Sequence, residues 1–317
     1  MNIMPAAGET RRKRPRRADA PIRKKRRLKY ISVLPSFITL LNAVFGFMAI
    51  VIASRSPELR YSLGFIRRLS LTSFSLAGYM IILAMIADML DGRVARLTRT
   101  TSSFGGQLDS LSDAISFGVA PAFLMIKVAN FHLENLHFAS RLSMTLERGI
   151  FFFGIFYAMC AVVRLARFNV ENEEDEAAHM NFFGLPSPAA AGVVVSLVVF
   201  HQQIMTGNID EASAVFRTFE LVTVIALPAI TLILGILMVT RIRYPHAANQ
   251  LFRGKKTLPV FLGIFAAALL AVWNIQLGLV IGFCGFALFG VIRWIVVSIF
   301  KKEPVTPAGT PPDNTAQ

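Results

Sequence analysis

The sequence predicts an all-α integral membrane protein, a polytopic bundle of about eight transmembrane helices. Of its 317 residues, 54% are hydrophobic and only 16% are charged. The mean hydropathy is +0.56, and apolar runs long enough to cross about 30 Å of hydrocarbon as a helix recur along the chain. A transmembrane β-barrel would instead show segments of about ten residues with alternating hydrophobicity, so the helical class is favoured.

The apolar runs place the helices and leave polar segments at both ends. Before the first helix, residues 1–29 form a basic tail, and residues 301–317, rich in Pro, Thr and Ala, are expected to be disordered. Residues 241–300 carry the last two helices as a C-terminal pair with a short turn between them. The eight spans are predicted at approximately 31–53, 76–96, 108–129, 149–168, 187–205, 218–240, 258–274 and 277–299.

The net charge of +14 is concentrated near the start of the chain, where twelve of the 33 Lys and Arg lie between Arg11 and Lys29. This tail has no apolar periodicity, so we interpret it as a disordered cytoplasmic segment that sets topology and contacts anionic lipid. Because no aromatic residues are interleaved with the charge, nucleic acid is not an expected partner. The same charge rule places both termini on the cytoplasmic side, as expected for a bacterial inner membrane protein.

Four carboxylates lie in the most apolar part of the chain, namely Asp88, Asp91, Asp109 and Asp113. A carboxylate at membrane depth is costly and therefore marks a functional site. Each pair has helical spacing, i and i+3 or i and i+4, and a polar turn containing glycine separates the pairs. Two antiparallel helices would make the four acids converge and repel one another unless divalent cations neutralise them. Oxygen ligands favour two ions of Mg²⁺ or Mn²⁺.

A fixed pattern surrounds these acids. D-x-x-D-G-x-x-A-R-x8-G-x3-D-x3-D resembles the motif of the CDP-alcohol phosphotransferase family. The resemblance implies a six-helix core over residues 30–240, to which the C-terminal helix pair is an addition. It also implies two divalent cations and a CDP-linked donor whose diphosphate bridges them. The matching residues are Asp88, Asp91, Gly92, Ala95, Arg96, Gly105, Asp109 and Asp113.

The resemblance also implies a role for each residue of the motif. Asp88, Asp91 and Asp109 would hold one ion, and Asp88, Asp109 and Asp113 the other. The implied catalytic residues are Asp113, as the base that accepts the acceptor's hydroxyl proton, and Asp109. The implied contacts with the CDP-linked donor are Asp91, Gly92, Ala95, Arg96 and Gly105.

Polar residues also follow one face of the first helix. Thr39, Asn42 and Gly46 are spaced i, i+3 and i+7, and a polar stripe on a membrane helix usually faces the bundle. Thr39 and Asn42 are therefore candidates for contact with the nucleotide of the donor. Simple hydrogen bonds between helices are the alternative reading.

Two further segments concern the acceptor alcohol. Arg164-Leu165-Ala166-Arg167-Phe168-Asn169 ends the fourth helix, and Phe182-Phe183-Gly184-Leu185-Pro186-Ser187-Pro188 precedes the fifth. Together they resemble the phosphatidylserine synthase branch of the family, which implies CDP-diacylglycerol and L-serine as substrates. The candidate acceptor-binding residues are Arg164, Arg167, Asn169 and Ser187.

Other interpretations stay open from the sequence. Choline, inositol phosphate or glycerol phosphate is an alternative acceptor within the same family. A membrane transporter also has intramembrane carboxylates, but it usually shows internal repeats and helices that break near the midplane. The four acids here lie instead in one short block at one interface. A homodimer is an expectation that rests on the family resemblance alone.

Overall fold

A computed structural model describes residues 33–55, 61–62, 70–98, 103–174, 184–206, 213–240, 242 and 274–300. The two short strands β1 (Tyr61–Ser62) and β2 (Ser70–Leu71) pair antiparallel ahead of the second helix. A π-helical segment, Ala114–Val119, joins the third helix to the fourth without a break. The α-helices are α1 (Val33–Ala53), α2 (Ser73–Thr98), α3 (Ser103–Asp113), α4 (Ala120–Asn135), α5 (Ser140–Glu174), α6 (Ser187–Met205), α7 (Ala214–Val239) and α8 (Ile275–Phe300).

The predicted fold class is confirmed. Six stretches in the described part of the chain are long and apolar enough to cross a membrane, and α1 adds a shorter apolar helix over Phe37–Ala53. The protein is therefore an all-α polytopic membrane protein. The predicted span at 258–274 lies outside the described residues, as do the basic tail and the C-terminal tail.

Three predicted spans are too short. The span predicted at 108–129 belongs to a continuous helical rod formed by α3, the π segment and α4, and the spans predicted at 76–96 and 149–168 correspond to the longer helices α2 and α5. The additional residues of α5 include Arg141, Glu147 and Arg148, which are exposed. Hydropathy marks only the part of a helix inside the hydrocarbon, so polar turns beyond the membrane leave no such signal.

Small residues set the distances between the packed helices. A Cβ atom added to Gly78 of α2 would collide with Val199 of α6, and one added to Gly192 of α6 would collide with the ring of Phe283 in α8. Helices in lipid gain little from the hydrophobic effect, so close van der Waals packing at such positions holds them together.

Interhelical contacts bring five helix ends to one side of the bundle. These ends are the start of α1, the end of α2, the start of α3, the end of α5 and the start of α6. They meet because α1 runs antiparallel to α2, and because Arg164 near the end of α5 contacts Ser187 at the start of α6. We call this side the aspartate end, since all four predicted aspartates lie on these helices.

The π segment is held on both sides. Ser116 donates a hydrogen bond to the carbonyl oxygen of Asn42 in α1 at 2.9 Å, and Tyr157 of α5 donates one to the carbonyl oxygen of Phe117 at 3.1 Å. A Cβ atom on Gly46 would collide with Ser116, so only glycine permits this approach of α1. Single π-helical turns inside α-helices often lie at functional sites, and this one directly follows Asp113.

Candidate active site

Three of the four aspartates meet at the aspartate end. Asp88 of α2 and Asp109 and Asp113 of α3 each offer a carboxylate oxygen, and these atoms lie within 4.8 Å of one another. Asp113 is only 9% exposed, while Asp88 and Asp109 are half-buried. The site is therefore open enough on one side for a ligand to reach the carboxylates.

Asp91 lies beside this group and is turned toward α1. It accepts a hydrogen bond from the hydroxyl of Thr39 through Oδ2. Its other oxygen, Oδ1, is buried without a hydrogen-bond partner. A buried carboxylate oxygen without a partner is costly, so Oδ1 of Asp91 is available to a cation or to a ligand.

Asn42 of α1 orients Asp113 by a hydrogen bond, as Thr39 orients Asp91. Its Nδ2 donates a hydrogen bond to Oδ1 of Asp113 at 2.9 Å, and the side chain is fully buried. Its Oδ1 has no hydrogen-bond partner. The polar stripe on α1 thus forms hydrogen bonds between helices, which orient two of the carboxylates. Contact of Thr39 and Asn42 with the nucleotide of the donor stays a prediction.

The glycines of the motif lie where the backbone is accessible. Gly92 is exposed, and a Cβ atom added there would meet nothing within 4 Å, so the space beside this part of α2 is open. Gly105 lies half-buried in the first turn of α3. The backbone of Ala95 and Arg96 continues α2, but their side chains lie outside the described part of the chain.

The predicted acceptor-binding residues form two contacts. Arg164 donates a hydrogen bond from Nη1 to Oγ of Ser187 at 2.5 Å, and its Nε is buried without a partner. The guanidinium also lies close enough to Asp113 for electrostatic attraction. Asn169 accepts a hydrogen bond from Ser110 at 3.0 Å, which joins α5 to α3. Arg167 lies half-buried between them on α5.

The turn before α6 fixes the position of Ser187. Gly184 has a φ of +84°, where a side chain is strained, and a Cβ atom there would collide with the carbonyl oxygen of Met238. Its N–H donates to the carbonyl oxygen of Ile242 at 2.8 Å, and Leu185 N–H donates to that of Leu237 at 3.1 Å. The turn is thereby attached to the end of α7.

Two serines contribute contacts that the sequence alone did not predict. Ser110 meets Asn169, and Ser116 meets the backbone of Asn42. Ser110 directly follows Asp109, and Ser116 lies three residues after Asp113, so their closeness to the acids was a usable signal. What the sequence did not contain was the identity of the partner helices, α5 and α1.

The donor set fits divalent cations. It consists of carboxylate oxygens, which Mg²⁺ and Mn²⁺ prefer, and the unpartnered oxygens of Asp91 and Asn42 lie beside it. Three carboxylates this close repel one another unless positive charge is added. Within the described residues, Asp88, Asp109 and Asp113 are the one group of three such side chains with metal-ligand spacing.

Fold and site together define a membrane-embedded enzyme whose acidic centre lies at one end of a helical bundle. The sequence profile of the CDP-alcohol phosphatidyltransferase family matches residues 32–226, which include α1 to α6 and the first half of α7. The chain belongs to the CDP-alcohol phosphatidyltransferase family. The resemblance noted in the sequence is confirmed, and α8 lies beyond the matched segment.

Relatives support the same assignment. A protein from Helicobacter pylori named CDP-diacylglycerol–serine O-phosphatidyltransferase is 32% identical over 237 residues, which cover 73% of this chain and 85% of the relative. One of that name from Methanocaldococcus jannaschii is 32% identical over 269 residues, covering 84% and 97% respectively. An archaetidylserine synthase from Methanothermobacter thermautotrophicus is 31% identical over 216 residues, covering 67% and 70%.

Proposed function

We propose that this enzyme transfers the phosphatidyl group of CDP-diacylglycerol to the hydroxyl of L-serine, giving phosphatidylserine and CMP. The proposal rests on one observation, which is that the acidic cluster and the buried guanidinium of Arg164 occur in the same site. Carboxylate oxygens of Asp88, Asp109 and Asp113 lie within 4.8 Å of one another, and Arg164, with an unpartnered Nε, lies within electrostatic range of Asp113. The names of the relatives agree with this choice of substrates.

The acceptor side of the site has the charges that serine needs. L-serine carries a carboxylate, an ammonium group and the reacting hydroxyl. Arg164 offers a buried N–H group to the carboxylate, and hydrogen bonds between charged groups are the strong ones. Ser187 holds the guanidinium in place through its hydrogen bond to Nη1. Among the alternatives, choline has no carboxylate for Arg164 to bind.

The transfer itself needs one bond formed, one broken and one proton moved. The serine hydroxyl oxygen attacks the phosphorus attached to diacylglycerol, the bond from that phosphorus to the bridging oxygen breaks, and CMP leaves with that oxygen. Asp113 accepts the hydroxyl proton. Asn42 of α1 holds Asp113 in position by a hydrogen bond. Asp109 lies one helical turn before Asp113 on the same face of α3 and belongs to the same carboxylate group.

Two divalent cations complete the site in this proposal. Asp88, Asp91 and Asp109 would hold one, and Asp88, Asp109 and Asp113 the other. When bound, Mg²⁺ or Mn²⁺ supplies the positive charge that stabilises the negative charge developing on the phosphate oxygens. Thr39 sets the orientation of Asp91, and the open space beside Gly92 leaves room for the nucleotide.

The proposed location follows from charge. The protein is integral to a membrane, and we place the aspartate end on the cytoplasmic side of a bacterial inner membrane, where CDP-diacylglycerol meets serine. The basic residues between Arg11 and Lys29 would lie at the same surface and attract anionic lipid. A homodimer is part of the proposal on family grounds only.

The proposal is tested by measuring CMP release from CDP-diacylglycerol with purified protein. L-Serine, choline, inositol 1-phosphate and glycerol 3-phosphate are compared as acceptors, each with Mn²⁺, Mg²⁺ or EDTA. We expect release that requires both the metal and L-serine, with phosphatidylserine as the lipid product. Release with another acceptor would contradict the serine assignment, and no release from folded protein would contradict the proposed reaction.

A further inference from the structure

Three contacts join α5 to the helical rod formed by α3, the π segment and α4. They occur in opposite order along the rod and along α5, so the two elements are antiparallel. The middle contact is the electrostatic attraction between the acidic cluster and the guanidinium, and a hydrogen bond lies on each side of it. In order from the aspartate end, the contacts are Ser110–Asn169 at 3.0 Å, Asp113–Arg164, and Phe117–Tyr157 at 3.1 Å. The charged pair of the site is thus held between two hydrogen bonds.

The hydrogen bond between Phe117 and Tyr157 replaces one that the rod cannot make itself. In an α-helix, the carbonyl oxygen of Phe117 would accept a hydrogen bond from the N–H of residue 121, but Pro121 has no N–H. The hydroxyl of Tyr157, a fully buried residue, donates to this carbonyl oxygen instead. Because a buried carbonyl group without a donor is costly, this part of α5 stays fixed to Phe117.

The face of α5 that begins with Tyr157 leads to Arg164. Tyr157, Ala161 and Arg164 are spaced i, i+4 and i+7, so they lie on one face of the helix. Ala161 is fully buried, and a Cβ atom added to Gly118 of the π segment would lie 3.3 Å from its Cβ atom. This face of α5 therefore packs directly on the π segment, and a shift of α5 at Tyr157 would reach Arg164 about two helical turns away.

The position of the Arg164 guanidinium depends on how α5 is placed on the rod. Arg164 belongs to α5, whereas Asp113, to which it is attracted, belongs to the rod and directly precedes the π segment. Its Nη1 donates to Ser187, while its Nε is buried without a partner. The hydroxyl of Tyr157 also lies within electrostatic range of the guanidinium. The contacts between α5 and the rod therefore set where the free N–H of Arg164 lies relative to Asp113.

We propose that Tyr157 is a positioning residue, and that its hydrogen bond to Phe117 places Arg164 for binding the carboxylate of the acceptor. The proposal rests on the proposed function, which supplies L-serine as that acceptor. Tyr157 acts through Arg164, because its side chain is fully buried and donates its one proton to a carbonyl oxygen of the protein. The role requires the hydroxyl of tyrosine, since the ring alone offers no such donor.

Tyr157→Phe tests the hydrogen bond with the least change in shape. Arg164 would bind the serine carboxylate equally before and during the reaction, so its displacement should raise the KM for L-serine and leave kcat within about twofold. Loss of one neutral hydrogen bond corresponds to a rise of about two- to tenfold in that KM, and the KM for CDP-diacylglycerol should stay at the wild-type value. Initial rates of CMP release at varied serine and varied donor measure these constants. An unchanged KM for L-serine in folded Tyr157→Phe would overturn the proposal.

Tyr79→Phe is the matched control. It makes the same change at a phenol that also joins two helices, since Tyr79 of α2 accepts a hydrogen bond from Gln276 of α8 at 3.1 Å. We expect this variant to keep the wild-type KM for L-serine. An equal rise in Tyr79→Phe would show that the loss of any hydrogen bond between helices weakens serine binding, and it would overturn the assignment to Tyr157.

Gly118→Ala disturbs the same packing without removing a polar group, and it is the deciding variant if Tyr157→Phe does not fold. The added methyl group would lie 3.3 Å from Ala161, so α5 must move away from the π segment by a few tenths of an ångström. We expect the KM for L-serine to rise about twofold or more. Gly149→Ala adds the same group to α5 at a residue with nothing within 4 Å. A wild-type KM in Gly118→Ala, or an equal rise in Gly149→Ala, would contradict the proposal.

Chemical modification of arginine tests the position of Arg164 without turnover. Purified protein without substrates is treated with phenylglyoxal, and mass spectrometry gives the modification rates of Arg164 and of Arg148, which is exposed on the same helix. In Tyr157→Phe we expect the ratio of the first rate to the second to rise about two- to tenfold, because a guanidinium that is no longer held is exposed more often.

Tyr79→Phe should keep the wild-type ratio of modification rates, and an unchanged ratio in Tyr157→Phe would overturn the proposal. Since no acceptor is present, this result does not depend on the identity of the acceptor. An incorrect serine assignment would instead appear as the absence of serine-dependent CMP release in the wild type.

Discussion

The two ends of the helical bundle each contain a buried polar cluster, but the clusters differ in how their charges are matched. At the aspartate end, three carboxylates face one another within 4.8 Å. At the opposite end, which we call the histidine end, Glu220 is the one carboxylate of the cluster, and it has hydrogen-bond donors around it. The histidine end consists of Thr72, His132, Asn135, His201, Gln202 and Glu220.

The contacts at the histidine end connect three helices and the residue that precedes α2. His132 of α4 lies with Nδ1 3.3 Å from Oε1 of Glu220 in α7, and Asn135 donates to the same oxygen at 3.1 Å. The rings of His132 and His201 meet edge to face with centroids 4.6 Å apart. Gln202 of α6 accepts a hydrogen bond from Thr72 ahead of α2 at 2.9 Å.

This difference in charge matching indicates that one end binds ligands and that the other supports the fold. A carboxylate with hydrogen-bond donors on a neighbouring helix, as Glu220 has in His132 and Asn135 of α4, is largely satisfied within the protein and holds the two helices together. Carboxylates that face one another are satisfied only when positive charge arrives from outside. We therefore infer that the aspartate end binds metal and substrate, whereas the histidine end fixes the helices that position it.

The largest expected difference between the two ends is in metal binding. Asp88→Asn removes one charge from the three-carboxylate group, so we expect Mn²⁺ to bind at least about tenfold more weakly. Titration of purified protein followed by electron paramagnetic resonance measures the free Mn²⁺. Glu220→Gln is the matched control at the histidine end, and equal affinity in the two variants would contradict the separation of roles.

A smaller effect is expected at Arg164. Arg164→Lys keeps the positive charge but removes the planar guanidinium. That group donates to Ser187 and has an Nε free to bind a carboxylate. Loss of one hydrogen bond to a charged group predicts a fall of about tenfold in kcat/KM for L-serine. Initial rates at varied serine concentration measure it.

Arg148→Lys provides the comparison, because Arg148 is exposed at the opposite end of the same helix. We expect it to keep the wild-type kcat/KM for L-serine. If the KM for CDP-diacylglycerol changed in Arg164→Lys while that for L-serine did not, Arg164 would belong to the donor site instead.

Glu220→Gln tests the histidine end through stability. The amide is a weaker partner for His132 and Asn135 than the carboxylate, so we expect a loss of about 1–2 kcal/mol in the free energy of unfolding. Thermal unfolding in detergent measures the loss as a lower Tm. Serine-dependent CMP release below that Tm should stay within about twofold of the wild type, and a complete loss of activity in folded protein would place Glu220 in the reaction instead.

The smallest effect is expected in the turn before α6. Gly184→Ala adds a Cβ atom at a φ of +84° against the carbonyl oxygen of Met238. Left-handed backbone with a side chain costs about 1 kcal/mol or more, and the displaced turn should weaken the contact between Arg164 and Ser187. We expect a modestly lower Tm and a few-fold higher KM for L-serine, and a wild-type KM would show that the turn does not position Ser187.

The aspartate end could be predicted from the sequence because the residues that form it are close together in the chain. Asp88 and Asp91 lie one turn apart, as do Asp109 and Asp113, so helical periodicity alone places each pair on one face. The small residues and the fixed spacing of the motif then identify the family. Apolar runs locate the helices for a similar reason, since the thickness of the bilayer sets their length.

The histidine end could not be found in this way. His132, His201 and Glu220 are separated by tens of residues, and nothing in their local sequence shows that three helices bring them together. The same holds for Asn42 and Asp113, whose hydrogen bond spans 71 residues. The π segment was missed because its residues, Ala114–Val119, have the composition of an ordinary membrane helix.

Turnover in Asp109→Asn and Asp113→Asn shows most directly whether the acidic cluster carries the reaction. Both variants keep the size of the side chain and remove a charge from the acidic cluster. We predict that each variant inserts and purifies like the wild type and has the same oligomeric state in detergent. We also predict that metal-dependent CMP release from CDP-diacylglycerol and L-serine falls about a hundredfold or more. Near-normal release in either folded variant would show that the acidic cluster is not the reacting site.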